Sequence, residues 1–482
     1  MQTDRTAIFG KEKGITFSFR RDFVDDVIAA IQSSIPVTFL IGPRKCGKTV
    51  CLKQVASMYS NAEYYDIKQL PQQGRSALPT RICDSIRSNS DVIFLVDEVT
   101  YWLYPDNIIA SFADAYAEQP NSNTRIILAG SQSQALECWG RRSFAGNANF
   151  IRMSFMNYSE WLRYTNSIAG PDSYNDFLYH IDKFYGMVSL VDYLQGCLDE
   201  TVISNNKASD IVLNNACELI DVNLLLDLLY VILISRHNRI NAQTVTRENL
   251  LIDDISYLFS NCFSDEIIAR AKQFLLLRYS AIHNRSLAEL RQAVQFLYNC
   301  GLISITYTIP NIKQEIDIHG MLFKDSLFEL NIRTKADFFS KFNFSIKHPM
   351  FYLAVLKILL QEDMPAELPQ QLMGSLVECH IRGLLPEAYG CEYHDEDDNE
   401  VDYLNQAYGF AIEITVSNKK LRNTHFDCVA DVPLKILTTG DHLEEVSGIY
   451  RIPYYTLIEY LSRRYSGNPR LDKLVQHLFS RR

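Results

Sequence analysis

Short apolar runs alternate with helix-spaced stretches along the first third of the chain. "VTFLI" (Val37 to Ile41) and "VIFLV" (Val92 to Val96) are rich in β-branched and aromatic residues with no polar alternation, and a third strand is read in "RIILAGSQSQAL" (Arg125 to Leu136), ending in Gly130-Ser131-Gln132-Ser133. Strands buried on both faces of a parallel sheet read this way. "TVCLKQVASMY" follows the first run with helical spacing, so the pattern predicts strand-loop-helix units and an α/β domain. From about residue 172 to 280 apolar residues recur every three or four positions in "LVDYLQGCL", "LLLDLLYVILI" and "AKQFLLLRYSA", which predicts helices. In "RSLAELRQAVQFLYNCGLISITYTI", Ser286 and Glu289 form a capping-box pattern, Gly301 closes the helix, and an alternating strand follows. Beyond residue 345, "IKHPMFYLAVLKILL" leads to the helix "QQLMGSLVECHIRGLL". An acidic turn "HDEDDN" then precedes two strands, "EVDYL" and "FAIEITV".

Composition narrows the class. A chain of 482 residues corresponds to roughly three domains. With 47% hydrophobic and 22% charged residues it reads as globular rather than disordered, fibrous or membrane-embedded. A formal net charge of -10 argues against a whole-surface footprint for nucleic acid and leaves a local basic surface open. The 11 cysteines are scattered and include no C-x-x-C, so neither a disulfide framework nor a zinc ribbon is expected; reduced thiols in a cytoplasm are. "MQTDRTAIFGKEKG" lacks the apolar core of a signal peptide, and "LLLDLLYVILI" is short and interrupted by Asp227. A buried helix, not a membrane span, is the expectation there.

The chemistry concentrates after the first strand. Gly42, Pro43, Arg44, Lys45, Cys46, Gly47, Lys48 and Thr49, with Val50 next, fit G-x-x-x-x-G-K-[ST] between a strand and a helix. The glycines let backbone N–H groups turn toward phosphates at the positive end of the helix dipole. Lys48 would reach the β- and γ-phosphates of ATP, and Thr49 would offer its hydroxyl to Mg²⁺. The second strand ends in Asp97-Glu98: Asp97 is the further Mg²⁺ candidate, Glu98 the group that orients or deprotonates the attacking water. Ser131 and Gln132 end the third strand, where polar groups of an open parallel sheet face the ligand. Arg141 and Arg142 follow; either could stabilise transition-state charge, from its own chain or a neighbour's, and the alternative is a pair of solvated surface arginines.

"GPRKCGKT", "VIFLVDE", "ILAGSQSQAL" followed by "GRR", and "IRMSFMNYSEWL" together resemble a group of prokaryotic AAA-type ATPases whose P-loop module precedes a C-terminal domain of uncharacterised function. The resemblance is specific over about residues 18–165 and weaker beyond. The family reads L-x-P-x-S-F-x-E-F as a strand where this chain has Met153 to Trp161 without the proline, so the chain resembles a divergent member. It implies ATP hydrolysis coupled to a conformational change, with the arginines after Gly140 as finger or sensor residues.

Two further resemblances shape the rest of the chain. The helix, Gly301 and strand are similar to the recognition helix and wing of a winged-helix domain, with Arg285 and Arg291 available to phosphates; the alternative is a protein-protein module. In "FAIEITV" alternation puts Ala411, Glu413 and Thr415 on one face. Glu413 with Asp402 and Glu378 resembles the acidic constellation of a PD-(D/E)xK nuclease-like fold. Thr415 stands where that fold has its lysine, and Lys419 and Lys420 lie a little beyond. The expected architecture is thus an α/β P-loop domain with an AAA-type parallel sheet (1–165), a helical and winged-helix middle (166–340) and an α/β PD-(D/E)xK-like domain, degenerate as a nuclease (341–482). The expected function is a Mg²⁺-dependent ATPase acting as a switch or remodelling module in nucleic-acid, defence or mobile-element biology. An ATP-gated nuclease and a nucleotide-dependent assembly scaffold are the alternatives. ATP, DNA or RNA, a protein partner and further copies of the chain are the expected partners, with no membrane.

Overall fold

A computed structural model of the chain describes residues 19–184, 189–207, 220–234, 263–309, 323–324, 327–328, 342–361, 368–385, 390–394, 400–405, 408–418, 426, 429, 431–463 and 470–479. The chain packs as two units: 1–156 with 195–218, and 157–194 with 219–482.

The first unit is built on five parallel strands: β1 (Val37–Ile41), β2 (Ala62–Asp66), β3 (Ile93–Asp97), β4 (Arg125–Gly130) and β5 (Ala148–Arg152), in the order β2-β3-β4-β1-β5. Their pairing is in continuous register, Val37 to Ile41 lying against Ile126 to Gly130 on one side and Ala148 to Arg152 on the other. Every residue of β1 and β3 is buried, which accounts for their unbroken apolar runs. The helices are α1 (Asp22–Gln32), α2 (Lys48–Ala56), α3 (Gln72–Arg87), α4 (Pro105–Glu118) and α5 (Ser133–Phe144).

Strand order dictates where a ligand can sit. The connection from β1 to β2 travels one way across the sheet, while those from β2 to β3, β3 to β4 and β4 to β5 travel the other. Right-handed crossovers then put α2 on one face and α3, α4 and α5 on the opposite one. The packing agrees: Val37, Phe39, Ile41, Phe94, Val96, Ile126 and Leu128 meet Ile82, Ile86, Ile109, Phe112, Leu136 and Trp139 in one buried cluster. Each such side chain contributes about 1.5–3 kcal/mol on burial. The chain reverses direction between β1 and β4, so a crevice opens at their carboxyl ends.

The second unit holds an eight-stranded mixed sheet among the described residues. Its strands run in the order Glu444–Val446, Ile449–Pro453, Leu434–Thr439, Phe410–Glu413, Glu400–Asn405, Gly390–His394, Ile303–Ile309 and Phe342–Ile346. This differs from the expected division at residues 340 and 341. Ile303–Ile309 pairs in parallel with Gly390–His394 and antiparallel with Phe342–Ile346, so the strand expected as a wing is an inner strand of the sheet that carries the C-terminal residues. The preceding helix Leu287–Asn299 has the full Ser286–Glu289 capping box that its sequence predicts. Arg285, however, donates to Glu289 at 2.9 Å and faces Asp221 at 3.4 Å, which commits it within the fold.

Two other expectations change. "SFMNYSEWL" is not a strand: β5 ends at Arg152, and Asn157 caps a helix, Tyr158–Thr165, with a capping box to Glu160. That signal, Asn-x-x-Glu before an apolar run, is present in the sequence and outweighs the family pattern. "LLLDLLYVILI" lies in the helix Val222–Ile234, whose buried Asp227 pairs with Arg278 at 3.3 Å. No described helix is long and apolar enough to cross a membrane.

Candidate functional site

The loop after β1 is built by backbone conformations that few residues tolerate. Gly42 has φ 155°, and a Cβ there would lie 2.2 Å from the carbonyl oxygen of Met153; Gly47, with φ 99°, begins α2. Lys45 between them is also left-handed, at φ 60°. Arg21 braces the loop from behind, donating to the carbonyls of Cys46 and Ser154 at 2.9 Å each. The concavity therefore faces outward with the unbonded N–H groups of the first turn of α2 at its rim. Lys48 is buried, and its ammonium donates to the carbonyls of Gly42 and Pro43, both at 2.8 Å. A phosphate entering the loop competes with those carbonyls for the same charge. Pro43 and Arg44 line the loop half-buried, and Val50 is exposed on the first turn of α2.

One strand end, that of β3, brings two acids to this loop. Asp97, at the end of β3, is 1% exposed, and its Oδ2 accepts hydrogen bonds from Thr49 Oγ1 at 2.6 Å and from the Tyr64 hydroxyl at 3.2 Å. Its Oδ1 accepts from the Glu98 N–H at 3.0 Å. Burial raises the Asp97 carboxyl above the usual range, against the Thr49 hydrogen bond and the Lys48 charge, which lower it. Glu98 sits in the left-handed region at φ 54°, a conformation that costs about 1–3 kcal/mol and concentrates at functional sites. Its Oε2 is buried with no hydrogen-bond partner among the described residues. Burial first, then the like charges of Asp97 and Glu200, push its carboxyl up to about 7, while Lys48 and Lys68 pull it down.

Ser131 and Gln132 follow β4 beside the loop, half-buried, and the Gln132 amide donates to Thr201 Oγ1 at 2.8 Å. Arg44 pairs through Nε with Glu200 at 3.1 Å. Sequence reading missed Arg21, Tyr64, Glu200 and Thr201. Tyr64 lies on a strand too short and too polar to stand out, and Glu200 and Thr201 lie on a helix about 70 residues beyond β4 with no motif of their own.

Arg141 and Arg142 are carried away from this edge. They lie in the last turn of α5, which starts at the carboxyl end of β4, so about 12 Å of helix separates them from Ser131. Arg141 is committed to Glu137 at 2.8 Å and stacks over Phe150, and Arg142 contacts Cys138 Sγ at 3.7 Å. The geometry holds both away from the phosphate loop of their own chain, which leaves a role toward a neighbouring copy and that of surface arginines.

Glu378, Asp402, Glu413 and Thr415 also come out differently from the expectation. The strand Phe410–Glu413 ends before Thr415, whose N–H donates to Thr438 Oγ1 at 2.6 Å and whose hydroxyl accepts from the Ser417 N–H in a local turn. The register Tyr403 to Ile412 puts Asp402 opposite Glu413, and Asp402 Oδ2 accepts from the Ile414 N–H at 2.6 Å. Arg382, whose side chain is 3% exposed, lies between the acids, 3.0 Å from Glu378 and 3.8 Å from Asp402. Lys419 and Lys420 lie outside the described residues.

A five-stranded parallel sheet with a glycine-braced loop, a buried lysine and an acidic strand end gathered at its switch point defines a P-loop nucleotide-binding domain. Residues 34–162 match a family model described as an AAA domain, and the chain accordingly carries a P-loop domain of the AAA type. No curated protein shows a significant match. Among solved structures, AMPPCP-bound DnaA from Aquifex aeolicus is similar over 58% of this chain and 95% of its own, at 13% identity and a TM-score of 0.27. The replication initiator DnaA bound to AMPPCP and single-stranded DNA is similar over 54% and 92%, at 14% identity and a TM-score of 0.26. Scores of this size carry no argument about the present chain.

Proposed function

We propose that the chain is a Mg²⁺-dependent ATPase acting as a nucleotide-driven switch. The observation that carries the reading is the Thr49–Asp97 contact of 2.6 Å beside Glu98, whose buried carboxylate oxygen is left unbonded at the mouth of the phosphate loop. Thr49 and Asp97 present hard oxygens, as Mg²⁺ requires, and among the described residues no three His, Cys, Asp or Glu side chains cluster into an all-protein metal cage. A cation there would complete its shell from phosphate oxygens and water. Bound Mg²⁺ would supply positive charge against the β- and γ-oxygens. Lys48 leaves the carbonyls of Gly42 and Pro43 for the phosphates, the α2 N–H groups hold the same oxygens, and Glu98 orients a water for in-line attack on the γ-phosphorus.

Replacing Lys48 by Ala removes the buried side-chain ammonium of the loop. ATP affinity is expected to fall by about two orders of magnitude or more, as loss of a charge-assisted phosphate contact in a buried site does. Equilibrium binding of a fluorescent ATP analogue measures it, and wild-type affinity would refute the site. The base also sets a pH dependence. Glu98 faces Asp97, Glu200, Lys48 and Lys68, and it must be ionised to accept a proton. kcat/KM, which reports the free enzyme, is therefore expected to fall as pH drops through about 7 and to level off above it. A steady-state pH profile flat through that region would contradict the role.

The link to nucleic acid, defence or mobile elements is supported by the family resemblance. ATPase rate and assembly size measured together, with and without DNA and RNA, test it. The PD-(D/E)xK-like reading of the C-terminal residues is retained in its degenerate form. A fixed guanidinium between Glu378 and Asp402 supports that form, because arginine does not deprotonate to make way for a metal.

A further inference from the structure

The helix Leu190–Lys207 places two consecutive side chains on the phosphate site. Glu200 is nearly buried, with 8% of its side chain exposed, and a buried carboxylate requires a cation; its partner is Arg44 of the phosphate loop, at 3.1 Å. Gly196, one turn earlier, makes room for the pairing. A Cβ there would fall 1.4 Å from Arg44 Nη1, so the guanidinium lies flat on the helix where only glycine permits it. Thr201 accepts the hydrogen bond of Gln132, the residue that follows β4. The charge of Glu200 is also felt at Glu98, Lys68 and Tyr101, all at the carboxyl edge of the sheet.

We propose that Glu200 and Thr201 are positioning residues of the nucleotide site, forming a latch that a triphosphate displaces. They hold Arg44 and Gln132, the loop and strand-end groups that face incoming phosphates. A phosphate and the Glu200 carboxylate are alternative partners for one guanidinium, and the polyanion is the better match for its planar, multiply donating fork. Nucleotide entry transfers Arg44 from Glu200 to phosphate and frees Gln132 from Thr201, which loosens the helix segment from residue 195 onward. Because binding must break the latch, the latch weakens binding by the same free energy. The helix begins at Leu190, in the second unit, so nucleotide state acts directly on a continuous element that both units share.

The inference rests on the nucleotide-binding reading, and the test separates the two. Affinity for a non-hydrolysable ATP analogue with Mg²⁺ is compared between wild type, Glu200→Gln and Gly196→Ala. The second variant weakens the latch by crowding Arg44 while improving helix propensity, so it folds even where loss of the Glu200 charge does not. Both variants are expected to bind about ten-fold more tightly, the effect of removing one competing ion pair. Hydrogen exchange across residues 195–207 of the wild type is expected to rise on binding. A wild type that binds no nucleotide overturns the nucleotide reading itself. A wild type that binds, while both variants bind no more tightly and the segment exchanges unchanged, overturns the latch alone.

Discussion

Glu98→Gln is expected to bind ATP as the wild type does and to lose turnover by about 10²–10⁴-fold, the usual contribution of a positioned general base. Several observations make the effect large and specific. Among the described residues Glu98 keeps a buried carboxylate oxygen without a partner at the loop mouth, whereas both oxygens of Asp97 already accept hydrogen bonds from Thr49, Tyr64 and the Glu98 N–H. The substitution keeps the side-chain volume and leaves the Asp97 network untouched, so the loop that holds the phosphates is unchanged. The left-handed backbone at residue 98 aims the side chain off the strand axis, and glutamine can occupy the same conformation while lacking the proton-accepting charge. A fluorescent nucleotide titration beside a phosphate-release assay separates binding from chemistry. Undiminished phosphate release would remove Glu98 from the mechanism.

Arg382→Met is expected to destabilise the second unit by about 3–5 kcal/mol, as removal of one partner from a buried ion pair does. Methionine fills much of the same volume, so the loss comes from charge. Glu378 at 3.0 Å and Asp402 at 3.8 Å are left facing each other in a poorly solvated space. Asp402 also fixes the chain leaving the strand Phe410–Glu413 through the Ile414 N–H, so the damage reaches the backbone of the sheet. Thermal or denaturant unfolding followed by circular dichroism measures the loss, and a midpoint equal to the wild type would contradict the pairing. The triple variant Arg382→Met, Glu378→Gln, Asp402→Asn is expected to recover much of the stability, because a buried ionic group replaced whole is close to neutral. With the arginine in place, DNA and RNA are expected to remain intact in Mg²⁺ or Mn²⁺; cutting abolished by Asp402→Ala would reverse the degenerate reading.

The legible parts of the chain were those where one local rule decides the outcome. β1 and β4 begin at the residues their apolar runs predict, since a strand buried on both faces has no polar position to blur its ends. The Ser286–Glu289 cap formed because its two hydrogen bonds span only three residues. The helix at Tyr158 carries the same kind of signal in Asn157 and Glu160, and that local signal prevails over the family's strand pattern. The alternation of Ile303–Ile309 predicts a strand but not its neighbours, because alternation specifies a face and says nothing of which distant segment completes the ladder. Arg141 and Arg142 are near Gln132 in sequence, but a helix of twelve residues carries its last turn away from its first.

By itself the amino-acid order determined the phosphate loop, its acidic strand end and the parallel strands that hold them. Each is a short segment whose chemistry depends on neighbours within a few residues. Only the tertiary structure decided what surrounds those segments. It set Glu200 and Thr201 on Arg44 and Gln132, Tyr64 on Asp97, and Arg382 between two acids that otherwise resemble a metal site. Apart from Arg382 and Glu378, one helical turn from each other, these pairings join positions tens to more than a hundred residues apart. They form because a buried charge or hydroxyl must find a partner wherever packing brings one within reach, and spacing along the chain carries no record of that search.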